Sequence, residues 1–248
     1  MASKQLRDLV ATLPNDGDLA LRGLTAGCAE VVGVTGSGIM LMTDDVQRGS
    51  LRTSDDVSAT IEDLQFEFEE GPCVDAYHQQ HAILEPDLEA PKSPRWSAFT
   101  PAALTAGVRA IFGFPLTVGE IRLGSLNLYR DEPGALRGEQ EADALRVADL
   151  IAIEMLSLQA EAESGEVAAA LSSDGDLQDR VHQACGIVAV QLEIRPDRAL
   201  RMLRAYSVGT GKRLRAVADA VVDHTLRLGL SGTPSRAHDD ETRSDHES

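Results

Sequence analysis

Residues 108–130, "VRAIFGFPLTVGEIRLGSLNLYR", constrain the fold more than any other stretch of this 248-residue chain. Two apolar runs flank Gly119 and Glu120, a separation that suits a tight hairpin. In the second run Ile121, Leu123, Ser125, Asn127 and Tyr129 fall on one face, and Arg122, Gly124, Leu126 and Leu128 on the other. Apolar residues stand on both faces, so this strand is buried on both. Helices must cover it, which makes the region α+β with an antiparallel sheet.

The rest of the N-terminal part supplies the cover. Residues 3–32 have helical spacing, interrupted at "PNDGD". "SGIMLMTDD" and "GSLRTSDD" predict a second hairpin. "DDVSATIEDLQFEFEEGP" predicts a helix with an acidic N-cap, and its "FEFEEG" end reads as a solvated acidic face. "CVDAYHQQ" predicts a short helix and "HAILEPDL" a short strand. "SPRWSAFTPAALTAG" predicts a helix opened by Ser93 and Pro94, with Trp96 and Phe99 on it at a spacing of three. From 139 to 163 a helix runs without a breaker. Its stripe is Leu145, Ala148, Ala152, Met155 and Leu156, widened by Ile151 and Leu158.

After residue 162 the character changes. "ESGEVAAALSSDGD" is small and polar, so 163–175 reads as a linker. Residues 176–228 carry no strand pattern and predict three helices, near 177–193, 196–208 and 212–228. Residues 229–248 have almost no large apolar side chain and predict a disordered tail.

Charge separates these parts. The formal net charge of −17 excludes affinity of the whole protein for nucleic acid or anionic membrane, but screening leaves room for a local basic site. Between Arg195 and Arg215 stand seven basic residues and one acid, Asp197. Arg198, Arg201 and Arg204 step by three along one slanted stripe, while Ala199, Leu203 and Tyr206 lie on the neighbouring, inward face. Lys212, Arg213 and Arg215 fall at a helix start, where a cation opposes the helix dipole, and an anionic backbone is the obvious use. Arg201, Arg204, Lys212, Arg213 and Arg215 are the candidate contacts, with Arg180 next. Tyr206 either stacks on an unpaired base or packs inward.

Other chemistry is sparse. Three cysteines without a C-x-x-C pair give neither a disulfide frame nor a zinc site, and fit a reducing cytoplasm. The N-terminus is amphipathic and carries acid, unlike a signal peptide, and no apolar run approaches the roughly 18 residues of a membrane span. Cys73 follows Gly71-Pro72 at a helix start. It is either a thiolate poised for redox sensing or a small buried residue. His78 and His81 have no third metal ligand placed by sequence. Trp96 and Phe99 either pack in the core or stack on a ligand. No resolving cysteine partners Cys73, so the expected activity is binding, not catalysis, and no metal or cofactor is identified.

Two resemblances add to this. "LQFEFEEGPCVDAY", "RWSAF" and "GVRAIFGFPLTVGEIRLGSLNLYRDEPGAL" resemble a GAF domain of the actinobacterial regulator type, over about residues 15–160. The resemblance implies an antiparallel sheet wrapped by helices, a site for an unidentified small ligand near Cys73, Trp96 and Phe99, and dimerisation through flanking helices. "DRVHQACGIVAVQLEIRPDRALRMLRAYSVGTGKRLRAVADAVVDHTL" resembles an ANTAR domain: Ala184 and Gly186 in the first helix, "AL-x-x-LR-x-Y" in the second, "L-x-x-VA-x-x-VV" in the third. ANTAR domains are three-helix RNA binders that recognise paired hairpins in nascent transcripts and prevent termination. Cys185 stands where family members often carry lysine. Together the resemblances imply an α+β GAF domain over 1–162 followed by an all-α three-helix ANTAR domain over 176–228. The protein is expected to be a cytoplasmic, homodimeric antiterminator fed by an upstream signal. Protein contact or DNA binding are the alternatives.

Overall fold

Three helices of the N-terminal part begin at a short polar side chain that accepts from one of their first amides. The computed structural model describes residues 2–43, 46–91, 95–161 and 176–229. Helix α1 (Lys4–Thr12) starts at Ser3, whose hydroxyl accepts from Leu6 N at 3.1 Å. Helix α2 (Gly17–Val32) starts at Asp16, which accepts from Leu19 N at 3.0 Å, and ends at Gly33 in the left-handed region. Strands β1 (Gly36–Thr43) and β2 (Val46–Thr53) follow, then α3 (Asp56–Phe68), capped by Asp55. Next come α4 (Pro72–Gln79), β3 (Ile83–Glu85), α5 (Phe99–Thr105), β4 (Ala110–Val118), β5 (Ile121–Arg130) and α6 (Gly138–Glu161).

The five strands form one antiparallel sheet in the order β2-β1-β5-β4-β3, with β5 at its centre. From Leu123 through Tyr129 every residue of β5 is buried, as its two-sided pattern requires. On one face Leu126 and Leu128 join Phe112 and Phe114 beneath α2 and α6. On the other, α3, α4 and α5 cover the sheet in two clusters. Ile61, Leu64, Trp96, Phe99, Ile111 and Tyr129 make one, and Met40, Met42, Cys73 and Tyr77 the other. Helix α4 lies so close to β4 that a Cβ at Gly113 would stand 2.4 Å from the Pro72 carbonyl oxygen.

Three expectations change here. The "FEFEEG" stretch is not a solvated face: Phe66 is fully buried, Glu67 is buried, and Glu69 turns left-handed to end α3. Trp96 and Phe99 do not share a helix, because α5 begins only at Phe99, and the expected cap, Ser93-Pro94, lies outside the described residues. Glu70 sets the start instead. Its carboxylate accepts from Ala98 N (2.8 Å), Phe99 N (3.1 Å) and Ser97 Oγ (3.2 Å). In α6 the buried stripe is Ala144, Val147, Ala148, Ile151, Ala152 and Met155, and Leu145 is left 42% exposed.

The chain divides into two compact units, residues 1–178 and 179–248. The second is built from α7 (Asp176–Leu192), α8 (Pro196–Thr210) and α9 (Leu214–Val222). Val181, Ala184, Cys185 and Val188 of α7, Ala199, Leu200 and Leu203 of α8, Leu214, Val217, Ala218 and Val221 of α9, and Leu228 beyond it are its described buried apolar residues. Helix α8 closes on Gly211 with φ of 65°. The third helix ends at Val222, not at 228. Thr225 N and Leu226 N both return to the Ala220 carbonyl at 2.9 Å, with His224 left-handed between them and α9. The expected linker at 163–175 and, apart from Gly229, the expected tail lie outside the described residues.

Candidate nucleic-acid interface

The basic residues of the second unit fall into two groups, those that are buried or stand beside Asp219 and those whose side chains are exposed elsewhere. Arg180 is in the first group. Its Nε donates to Asp219 Oδ1 at 2.8 Å and its Nη2 to Asp223 Oδ1 at 3.2 Å, tying α7 to the end of α9. Arg215 stands 3.8 Å from the other oxygen of Asp219. Arg204 is buried, so it does not belong to the exposed stripe that its spacing suggests. Its charge acts on Cys185, lowering a thiol that burial pushes up to about 12.

The second group is exposed. Arg198 and Arg201 make no side-chain ion pair or hydrogen bond with a described residue. Arg195 has 86% of its side chain exposed and meets Asp197 only at 3.4 Å. At the far end of α8, Lys212 is exposed while its backbone is fixed: Lys212 N donates to Ser207 O at 3.1 Å, and Ser207 Oγ donates to Lys212 O at 2.6 Å. Arg213 is the N-cap of α9, and its side chain does not cap the helix's first amides. A helix start beside two exposed cations suits an anion. Tyr206 is half-buried, compatible with packing and with an exposed ring edge.

A hollow of about 570 Å³ opens at the turn between α7 and α8, lined by Glu193, Ile194, Arg195, Asp197, Arg198 and Arg201. Glu193 is left-handed there, with φ of 52°, and Ile194 N returns to Ala189 O at 3.0 Å. Arg195 and Arg198 are two surface cations that the candidate set passes over. Their signal in sequence is the lack of carboxylates at helical spacing. The hollow itself, made by a left-handed glutamate, has no such signal.

The first unit does not gather its candidates. Cys73 is fully buried; its amide donates to Gln65 Oε1 at 2.9 Å and its carbonyl accepts from Ser125 Oγ at 2.8 Å. Burial, with the Glu62 carboxyl beside it, pushes the thiol well above its ordinary value, overriding the helix start that would favour a thiolate. Trp96 and Phe99 belong to the other cluster, edge to face at 5.9 Å, with Trp96 Nε1 donating to Asp75 Oδ2 at 3.1 Å. No sequence signal marks Glu62, which lies fully buried against Gly38 and near Asn127. Neither Glu62 oxygen forms a well-made hydrogen bond. Among the described residues no group of three or more His, Cys, Asp or Glu could hold a metal ion, and no helix is long and apolar enough to cross a membrane.

Comparison with known proteins agrees with this geometry. The GAF domain family model matches residues 16–155 and the ANTAR domain model residues 169–222. The chain is similar in fold to the GAF domain of a phosphoenolpyruvate-protein phosphotransferase from Coxiella burnetii, with 18% identity and a TM-score of 0.51, covering 64% of this chain and 94% of that one. It is likewise similar to the corresponding GAF domain from Acinetobacter, with 13% identity and a TM-score of 0.50, covering 64% and 98%. No curated protein matches the chain.

Proposed function

Because the chain belongs to the GAF domain family and carries an ANTAR domain after it, we propose that it is a transcription antitermination regulator of the actinobacterial type. The C-terminal unit binds hairpin RNA in nascent transcripts, and the GAF unit senses a small ligand or an upstream signalling protein and joins two copies. The protein works in the cytoplasm and acts by binding, not by catalysis. The observation that carries this reading is the surface cations of the second unit, Arg195, Arg198, Arg201, Lys212 and Arg213, in a chain of net charge −17.

Arg201, Lys212, Arg213 and Arg215 are the proposed RNA contacts, with Tyr206 at their edge. Arg180 and Arg204 shape the unit from within. Hairpin RNA should bind more tightly than duplex DNA and weaken steeply with salt. Charge reversal at Lys212 and Arg213 should abolish binding in a fluorescence anisotropy titration and leave the far-UV circular dichroism unchanged. Absence of RNA binding at low salt, with a protein partner retained, would replace this reading with protein contact.

Joining of two copies has its own support. Between α1 and α6 lies an open groove of about 490 Å³ with Leu6, Val10, Ala11 and Leu150 in its lining. Val10 (42%), Leu145 (42%) and Ile153 (52%) stand exposed on the same two helices. Apolar surface of this kind, rimmed by Arg7, Arg146 and Asp149, suits a self-complementary interface.

A further inference from the structure

Given RNA as the partner, which the previous section proposes, we infer that the hollow at the α7–α8 turn holds one unstacked loop nucleotide of the hairpin. Arg198 and Arg201 take its flanking phosphates and Glu193 accepts from its base edge.

The first ground is which arginines remain available. Arg180 is held by Asp219 and Asp223, and Arg204 is buried. Arg198 and Arg201 are exposed, have no side-chain partner among the described residues, and sit three residues apart on the rim of the hollow. A guanidinium presents parallel donors to phosphate oxygens and a flat face to a base.

The second ground is the lining. Cations alone would suit any phosphate, on a stem or a loop. This hollow also contains the Glu193 and Asp197 carboxylates and the apolar Ile194. A carboxylate repels phosphate but accepts well from the N–H groups of a base. The Glu193 backbone is left-handed at the turn, followed by the Ile194 N to Ala189 O bond. The volume of about 570 Å³ falls within the roughly 300–1,000 Å³ of small-ligand sites. A base held in a stem cannot enter such a hollow, whereas an unpaired one can be splayed out and stacked.

The third ground is distance. Helix α8 has 15 residues, so its two ends lie about 20 Å apart. The hollow is at one end, and Lys212 and Arg213 are at the other. The two ends can therefore divide the hairpin, loop at the hollow and stem phosphates at Lys212.

The test uses the full-length protein and two probes: a pool of hairpin RNAs with a fixed stem and a randomised loop, and the same stem closed as a blunt duplex. The double variant R198A/R201A should lose about tenfold or more in affinity for the hairpin pool. Its log–log salt slope should fall by about 1.4, for two single-strand phosphate contacts. Its binding to the blunt stem should stay within about threefold. K212A should weaken both probes alike. E193Q should change which loop sequences are recovered from the pool without changing the salt slope. Equal loss on both probes by R198A/R201A, an unchanged hairpin affinity, or unchanged loop recovery by E193Q would overturn the nucleotide site alone. A wild-type protein that binds neither probe would overturn the RNA reading itself.

Discussion

Burial pushes the Glu62 carboxyl up to about 8, with Asp63 adding to the shift and Asn127 opposing it. The folded protein therefore holds a proton near neutrality that the unfolded chain, with an ordinary carboxyl near 4.5, has released. A raised carboxyl value means that stability is greatest below the ordinary value and falls as pH rises through the window up to about 8. One proton gives a slope of at most about 1.4 kcal/mol per pH unit. E62Q should flatten this dependence, measured as urea midpoints at pH 6 and pH 8 by fluorescence of Trp96, the sole tryptophan. Equal pH dependence in both proteins would contradict the buried protonated acid. Arg180 makes a second case. R180A should lower the melting temperature only slightly, since its pairs are partly exposed, and change RNA affinity by less than about threefold. Thermal melting and anisotropy separate those two effects. The apolar stripe of Val181, Cys185 and Val188 was legible from spacing alone. That the Arg204 charge acts on Cys185 was not.

Helices whose caps are local were the most legible elements. Ser3, Asp16 and Asp55 each stand three residues before the amide they accept from, a pattern visible along the chain. Helix α5 is different, because Glu70 reaches it from 28 residues away, across the fold. No local window contains that bond, which is why the start of α5 was misplaced. E70A should destabilise the first unit by about 1 kcal/mol, the usual loss of an N-cap, and lower its urea midpoint in Trp96 fluorescence. An unchanged midpoint would remove Glu70 as the determinant of that helix start. In α6 the helical period was plain, but which side of the stripe faces inward depended on the sheet and α2 beneath it. Ala144 and Val147 went inward and Leu145 outward.

At the scale of the whole molecule the apolar groove between α1 and α6 becomes a prediction of mass. The wild-type chain of 26.5 kDa should run at twice that mass in light scattering at micromolar concentration. L145E/I153E should run as a monomer with unchanged circular dichroism, and a monomeric wild type would remove the joined pair. The sequence by itself determined the order of domains, the antiparallel hairpin whose second strand, near 121–130, is buried on both faces, and the concentration of positive charge between 195 and 215, because each is written in periodicity or count along neighbouring residues. The tertiary structure alone decided the rest. It buried Glu62 of α3, separated Cys73 from Trp96 and Phe99, and engaged Arg180 with Asp219 while leaving Arg198 and Arg201 exposed. The physical reason is that desolvation and ion pairing depend on what lies across the fold, and those neighbours are up to tens of residues away in sequence.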